Sequence, residues 1–278
     1  PRRHWQIHEV QRELEGLMDE LLRYVIDNAP LPGILAGTFL LILAAMEPGF
    51  RLGVARSNKP DFRKEDHVSS MTGAHLGLLA FVLAFSFSLA AGHYDKRKQT
   101  ILDEAIAIET AYLRADLVAE PHGARIQQLL REYLDARSGL ISYDSVARII
   151  DEAERLQLAI WLQVNELNEA NKFDVKASLM TQSINSVFEL HDKRVANSKY
   201  NRIPGSIWVA LYAVLVLSML GMGYFFGINQ RRSPTAAISL ALSFSVILFL
   251  IADLDRPLAG FLQVDKSTLA QLQLRLER

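Results

Sequence analysis

The stretch of sequence that decides the fold is GLLAFVLAFSFSLAAGHYDKRK, residues 77–98. It carries no charge up to Gly92, and the polar part that follows contains no strong helix breaker. Gly77, Phe81 and Phe85 recur every four residues and Ser88 follows three residues later, which places all four on one side of a helix. The stretch therefore predicts a membrane-spanning helix that continues into a charged helix. Its glycine and phenylalanine face is a candidate pore lining and gate.

Apolar residues are concentrated in blocks along the chain. Of its 278 residues, 50% are hydrophobic although 22% are charged, and a span needs about 20 mostly apolar residues to cross about 30 Å of hydrocarbon. Four segments approach that length, residues 31–46, 70–92, 206–228 and 235–252. The sequence therefore predicts an all-α integral membrane protein with four transmembrane helices.

The polar regions have helical periodicity and no strand pattern. We expect helices at 122–140, 144–169 and 175–198, and the second span continues as a helix to residue 117. Pro48 and Gly49 favour a helix break after the first span. The predicted plan is an amphipathic helix in 1–29, two spans in 30–92, a helical domain in 93–203, two spans in 204–254 and a tail helix in 255–278.

Several classes of function find no support in the sequence. The chain contains no cysteine, which excludes disulfides, thiolate metal sites and a cysteine nucleophile. A formal net charge of −1 gives no bulk attraction to nucleic acid. The motifs HExxH, GxSxG, GxxxxGK[ST] and GxGxxG do not occur. We therefore expect a protein that is not an enzyme, without a cofactor, a metal site or a nucleic acid partner.

Two groups of charged residues at span ends are candidates for ion pairs. Glu47 and Arg51 lie four residues apart, and a structural clamp is favoured over an ion site. Asp253, Asp255 and Arg256 follow the fourth span. They suit a structural cap better than a cation site, because two carboxylates without a glycine turn make a poor calcium loop.

Two further residues are candidates for ion selectivity. His75 is the one ionisable side chain well inside a predicted span, where it either senses pH or forms a packing hydrogen bond. Glu104 follows the second span and is expected to line a vestibule and favour cations. A solvated helix face would explain the same carboxylate without a function.

Five segments resemble a known family. AFVLAFSFSLAAGHYDKRK (80–98) is similar to the second span of bestrophin channels, in which an FVLGF core precedes aromatic and basic residues. The closer resemblance is to bacterial bestrophin-like proteins. It is carried by EPGFRLG (47–53), DEAIAIETAYLRADLVAEP (103–121), FELHDKR (188–194) and DLDRPLAG (253–260).

The resemblance implies four-span protomers in a ring, commonly a pentamer, in the bacterial inner membrane. It also implies that the termini and the helical domain are cytoplasmic, which charge alone does not decide, because basic residues flank the spans on both sides. The three apolar residues of the bestrophin neck correspond to Gly77, Phe81 and Phe85, and the glycine departs from the pattern. The acidic calcium clasp of animal bestrophins has no counterpart here, so calcium gating is not implied.

Two hypotheses from different classes follow. The first is an oligomeric ion channel whose second span lines an axial pore, with cations slightly favoured. The second is a non-conducting membrane scaffold or sensor whose helical domain binds a partner. In the second hypothesis Phe81 and Phe85 pack against neighbouring helices, as aromatic residues of membrane helices commonly do.

Overall fold

The computed structural model describes residues 29–59, 66–138, 146–170, 174–199, 201–257, 260–262 and 267–276. These residues form helices and connections and include no strand. The helices are α1 Leu31–Ser57, α2 Asp66–Ala115, α3 His122–Ser138, α4 Val146–Ala170, α5 Val175–Lys199, α6 Gly205–Ile228, α7 Pro234–Asp255 and α8 Ser267–Leu276. The amphipathic helix predicted within residues 1–29 lies largely outside the described part of the chain.

Four helices, α1, α2, α6 and α7, are long and apolar enough to cross a membrane. The prediction of an all-α protein with four spans is thus confirmed, and the chain is a multi-pass membrane protein. The predicted break at Pro48 and Gly49 is wrong, because α1 continues to Ser57. A proline inside a helix removes one backbone hydrogen bond, and close packing of the following residues on α6 holds α1 together.

The described residues divide into two units. The first contains the residues up to Gly92 together with Arg202–Leu262. Within it, α1 packs most extensively on α6 and also packs on α7. Gly49 and Gly53 of α1 face Gly223 and Gly227 of α6, and a Cβ on any of them would collide with the opposite backbone. Two GxxxG motifs therefore allow the backbones of α1 and α6 to touch.

The second unit comprises the described residues within His93–Asn201 and Gln263–Arg278. In it α4 packs on both α3 and α5, and α3 also packs on α8. The largest wholly buried side chains of its core are Tyr133, Ile108, Ile126, Leu130, Leu134, Ile160, Leu167, Met180 and Ile184. The tail helix α8 buries Leu269 and Leu272 in the same core. Apolar burial at roughly 25 cal/mol per Å² is therefore the main stabilising contribution in this unit.

Candidate pore-lining face and charged clusters

The candidate pore-lining face of α2 is exposed on the protomer. Phe81 is 69% exposed and Phe85 is 59% exposed. A Cβ added at Gly77 would have no atom within 4 Å, and Ser88 is exposed as well. Among the described residues, these side chains are therefore not buried against the protomer's own helices, and the face is available to another molecule.

The opposite face of the same helical segment is buried. Leu79, Leu83, Ser86 and Ala90 are buried at intervals of three and four residues, the period of one helix face. Ser218 of α6 donates a hydrogen bond from its hydroxyl to the carbonyl oxygen of His75 at 3.2 Å. This packing turns the phenylalanine face outward, because the two faces lie on opposite sides of the helix.

His75 is half-buried and bonds locally. Its Nδ1 atom lies 2.8 Å from the carbonyl oxygen of Met71, one turn earlier. A carbonyl oxygen only accepts, so Nδ1 carries the hydrogen in this arrangement. The structure therefore gives His75 a hydrogen bond within its own helix.

The part of α2 that belongs to the second unit also exposes apolar residues. Leu102, Ile106 and Leu113 are exposed, and their spacing of four and seven residues places them on one stripe. Contiguous exposed apolar patches mark protein contacts, whereas single exposed apolar residues are common on protein surfaces. Sequence reasoning missed this stripe, although its heptad spacing is visible in the sequence.

Glu104 lies on the other side of α2, inside the second unit. Its Oε1 atom accepts hydrogen bonds from Nε of Arg137 at 3.1 Å and from the hydroxyl of Tyr133 at 3.2 Å. Its Oε2 atom accepts from Nη1 of Arg194 at 2.5 Å. The carboxylate is wholly buried. Two arginines thus compensate the charge of one buried carboxylate. Without them, the desolvation of this carboxylate would strongly destabilise the fold.

The same cluster includes His191. Its Nδ1 atom lies 3.1 Å from the hydroxyl of Tyr133. Since that hydroxyl donates its hydrogen to Glu104, Nδ1 of His191 must donate to the hydroxyl oxygen. Burial lowers the pKa of His191, and the positive charge of Arg137 lowers it further. Burial and the charge of Glu104 raise the pKa of Tyr133. His191 is therefore neutral at pH 7.

The expected position of Glu104 in a vestibule wall does not fit this burial. Glu104 follows Ile101 by three residues and precedes Ile108 by four, so it shares their buried face. That spacing was a signal that sequence reasoning missed. One of its partners, Arg194, lies in the segment FELHDKR that sequence reasoning singled out. We assign Glu104 to the core of the second unit rather than to ion selectivity.

Glu47 pairs with two arginines in the first unit, which we call the membrane unit. These residues lie at the end of this unit where α6 connects to α7. Nε of Arg51 donates to its Oε1 at 2.9 Å, and Nη2 of Arg232 donates to its Oε2 at 2.6 Å. The guanidinium of Arg232 also lies 5.2 Å from the centre of the Phe50 ring, within cation–π range. The structure thus brings Glu47 and Arg51 together and adds Arg232, which their spacing did not indicate.

Asp253 and Asp255, near the end of α7, accept hydrogen bonds from other segments. Asp253 accepts from the backbone N–H groups of Phe261 at 2.8 Å and Leu262 at 3.0 Å. Asp255 accepts from the backbone N–H of Ile203 at 2.8 Å and from Nε of Arg202 at 3.3 Å. Both carboxylates are buried and therefore tie together the segments that they contact.

Arg256 contributes to the same junction. Its Nη2 atom donates to the carbonyl oxygen of Ala29 at 2.6 Å. The segment DLDRP therefore contacts the residues just before α1 and just before α6, as well as the residues after α7. This arrangement is that of a structural junction. No group of three potential metal-ligating side chains occurs in the described ranges.

The sequence also matches a family model. The model is described as a Bestrophin-like domain, and it matches residues 36–269. None of the curated proteins matches the sequence.

Several solved structures are similar to the chain in fold. A bacterial bestrophin homologue from Klebsiella pneumoniae with a leucine-to-threonine mutation has a TM-score of 0.64 and 14% identity, covering 89% of this chain and 98% of that chain. A tyrosine-to-alanine mutant of such a homologue has a TM-score of 0.59 and 15% identity, covering 88% and 97%. A structure described as a membrane protein has a TM-score of 0.64 and 14% identity, covering 88% and 97%. At this identity the likeness shows a shared fold.

Proposed function

The chain belongs to the Bestrophin-like family, and from this premise we propose that it is an oligomeric ion channel with an axial pore lined by α2. The observation that carries the proposal is the exposure of Phe81 and Phe85, at 69% and 59%, on a spanning helix whose opposite face is buried. In a ring of copies, this face of every α2 turns toward the axis. Phe81 and Phe85 then form an apolar gate that conducts when it is wetted.

Gly77 and Ser88 set the ends of the proposed gate. Gly77 has no side chain to narrow a pore, so the constriction is confined to the two phenylalanine rings. Ser88 offers a hydroxyl to a hydrated ion one turn after Phe85. We therefore propose a short apolar neck between a wide glycine level and a polar serine level.

The exposed stripe of Leu102, Ile106 and Leu113 supports assembly. These side chains are exposed on the second unit, which holds many charged residues and is proposed to lie in the cytoplasm. Burying them against a second copy would gain about 25 cal/mol per Å². A ring, with a pentamer favoured by the bestrophin resemblance, provides that contact in the bacterial inner membrane.

We also propose a slight preference for cations over anions. This preference does not depend on Glu104, because Glu104 is buried. Asp95 is exposed on the part of α2 that belongs to the second unit, shortly after the span. A ring of carboxylates at this level would favour cations over anions. Asp95→Asn should therefore reduce the ratio of sodium to chloride permeability, and an unchanged ratio would remove Asp95 from the proposal.

The test of channel activity is ion flux into liposomes that contain the purified full chain. We expect flux above that of empty vesicles, and a larger leak when both Phe81 and Phe85 are replaced by alanine. Phe87→Ala is the matched control, because Phe87 is also exposed on α2 but lies about 160° from Phe85 around the helix. No flux under varied pH and salt, from protein that retains its oligomeric state, would contradict the proposal.

A non-conducting scaffold or sensor is the second candidate, and one observation favours it. Leu158 and Leu162 of α4 are exposed four residues apart, so a helical partner could cover both. Cross-linking in native membranes separates the candidates: a closed ring supports the channel, whereas monomers that capture another protein through Leu158 support the scaffold.

A further inference from the structure

An apolar groove lies among α1, α6 and α7, where the connection between α6 and α7 turns back into the membrane unit. Its volume is about 310 Å³, and its apolar lining includes Leu43, Met46, Phe50, Phe226, Ala237 and Ile238. This volume lies at the low end of the range for ligand-binding cavities. Glu47 and Arg232 stand among the polar residues of the lining. The groove thus combines a hydrocarbon-like interior with a charged rim.

The rim carries an excess of positive charge. Arg51 and Arg232 place two guanidinium groups on one carboxylate, that of Glu47, which leaves a formal excess of one positive charge. Arg231 is the neighbour of Arg232 in the chain. The side chains of Arg51 and Arg232 are 77% and 66% exposed, and Arg231 is exposed as well. Glu47 orients two arginines through its two oxygens and still leaves their remaining N–H donors available.

We propose that this groove binds one anionic phospholipid, with an acyl chain along the apolar lining and the headgroup phosphate on the arginine rim. The apolar lining selects a lipid over a free anion, because inorganic phosphate has no part that gains from contact with Leu43 or Ile238. The charged rim selects an anionic headgroup over a zwitterionic one. The helices that form the groove span the membrane, so lipid reaches the groove directly. This site is separate from the phenylalanine face and does not depend on ion conduction.

The test compares lipids by native mass spectrometry on the delipidated full chain. Phosphatidylglycerol should be retained over phosphatidylcholine of identical chains by at least about fivefold, since one basic residue at a membrane surface contributes about that factor. Arg231→Gln, which leaves the Glu47 ion pairs intact, should reduce phosphatidylglycerol retention by about fivefold and leave phosphatidylcholine unchanged. Inorganic phosphate should compete weakly.

A second variant tests the groove itself. Ala237→Phe fills it without changing any charge, and phosphatidylglycerol retention should fall at least about tenfold, as expected for loss of one buried chain segment. Ala236→Phe is the matched control one position away and outside the lining. Equal retention of the two lipids, full competition by inorganic phosphate, or unchanged retention in Ala237→Phe would overturn the proposal. So would dissociation of the oligomer by Ala237→Phe without a change in lipid, because a second copy would then occupy the groove.

Discussion

Gly53 of α1 and Gly227 of α6 meet backbone to backbone. A Cβ placed on Gly53 would lie 2.8 Å from the Cα of Gly227, and a Cβ on Gly227 would lie 2.8 Å from the Cα of Gly53. Real Cβ atoms essentially never approach another atom so closely. The relationship is reciprocal, so neither glycine can gain a side chain unless the two helices separate.

The first prediction concerns this contact. Gly53→Val or Gly227→Val should destabilise the membrane unit by about 1–3 kcal/mol, the usual cost of overpacking a tight interface. The measurement is the melting midpoint of the solubilised protein, followed by size-exclusion chromatography. Gly37→Val and Gly221→Val are the controls on the same two helices, because a Cβ at either position meets nothing within 4 Å. Equal losses at all four positions would show that helix propensity, not contact, determines the effect.

The second prediction concerns the buried carboxylate. Glu104→Gln keeps the shape of the side chain but leaves Arg137 and Arg194 without their shared counter-charge, so the second unit should lose about 3–5 kcal/mol of stability. Glu109→Gln is the control, because Glu109 pairs with the exposed Arg275 at 3.4 Å, a kind of pair that contributes roughly 0–1 kcal/mol. Chemical denaturation followed by circular dichroism measures both.

Ion flux into liposomes measures whether the Glu104→Gln substitution also affects ion selectivity. Glu104→Gln should leave the ion selectivity of correctly folded protein unchanged. A selective change in ion preference with full stability would contradict the burial of Glu104.

The third prediction is a pH dependence of stability. His191 has a lowered pKa in the folded protein, so the unfolded chain binds a proton first as the pH falls. Its contribution to stability is therefore complete above the ordinary pKa of 6.5 and is lost as the pH falls below it, by at most about 1.4 kcal/mol per pH unit. The melting midpoint should decline between pH 7 and pH 5.

His191→Gln is the variant that isolates this contribution, because an amide keeps a donor for Tyr133 and does not titrate. Its decline over the same pH range should be smaller than that of the unmodified protein. His67→Gln is the matched control on the exposed start of α2, and it should leave the decline intact. An equal decline in His191→Gln would assign the pH dependence to other groups.

The fourth prediction uses the absence of cysteine from the chain. A single cysteine at Ser88 should react rapidly with a charged, membrane-impermeant thiol reagent, because the proposed pore holds water at that level. A single cysteine at Phe87, exposed on another side of α2, should react slowly in lipid. The measurement is the rate constant of cysteine modification at each position, determined by mass spectrometry. Equally slow modification at both positions would indicate that the Ser88 side of α2 faces lipid.

Elements with strong periodicity were predictable from the sequence. The third and fourth spans and α5 begin and end close to the predicted residues, because apolar length and helical period are local properties of the chain. In contrast, α1 continues to Ser57, beyond the predicted end of the first span at residue 46. The sequence also identified the segment DLDRPLAG as a candidate for ion pairs, but it did not predict which residues this segment contacts. Asp255 receives its hydrogen bonds from Arg202 and Ile203, 53 and 52 residues away, and no local spacing encodes such a pairing.

The sequence by itself determined the four spans, the long α2 and the stripe that holds Phe81 and Phe85, since each depends on hydrophobicity and helical period alone. Tertiary structure decided which face of α2 is buried, that Glu104 sits between Arg137 and Arg194, and that the glycines of α1 and α6 meet. The physical reason is that solvation, pKa and close packing depend on neighbours brought together from distant parts of the chain. A carboxylate that the sequence pattern places on a solvated helix face can therefore be a core residue of the folded protein.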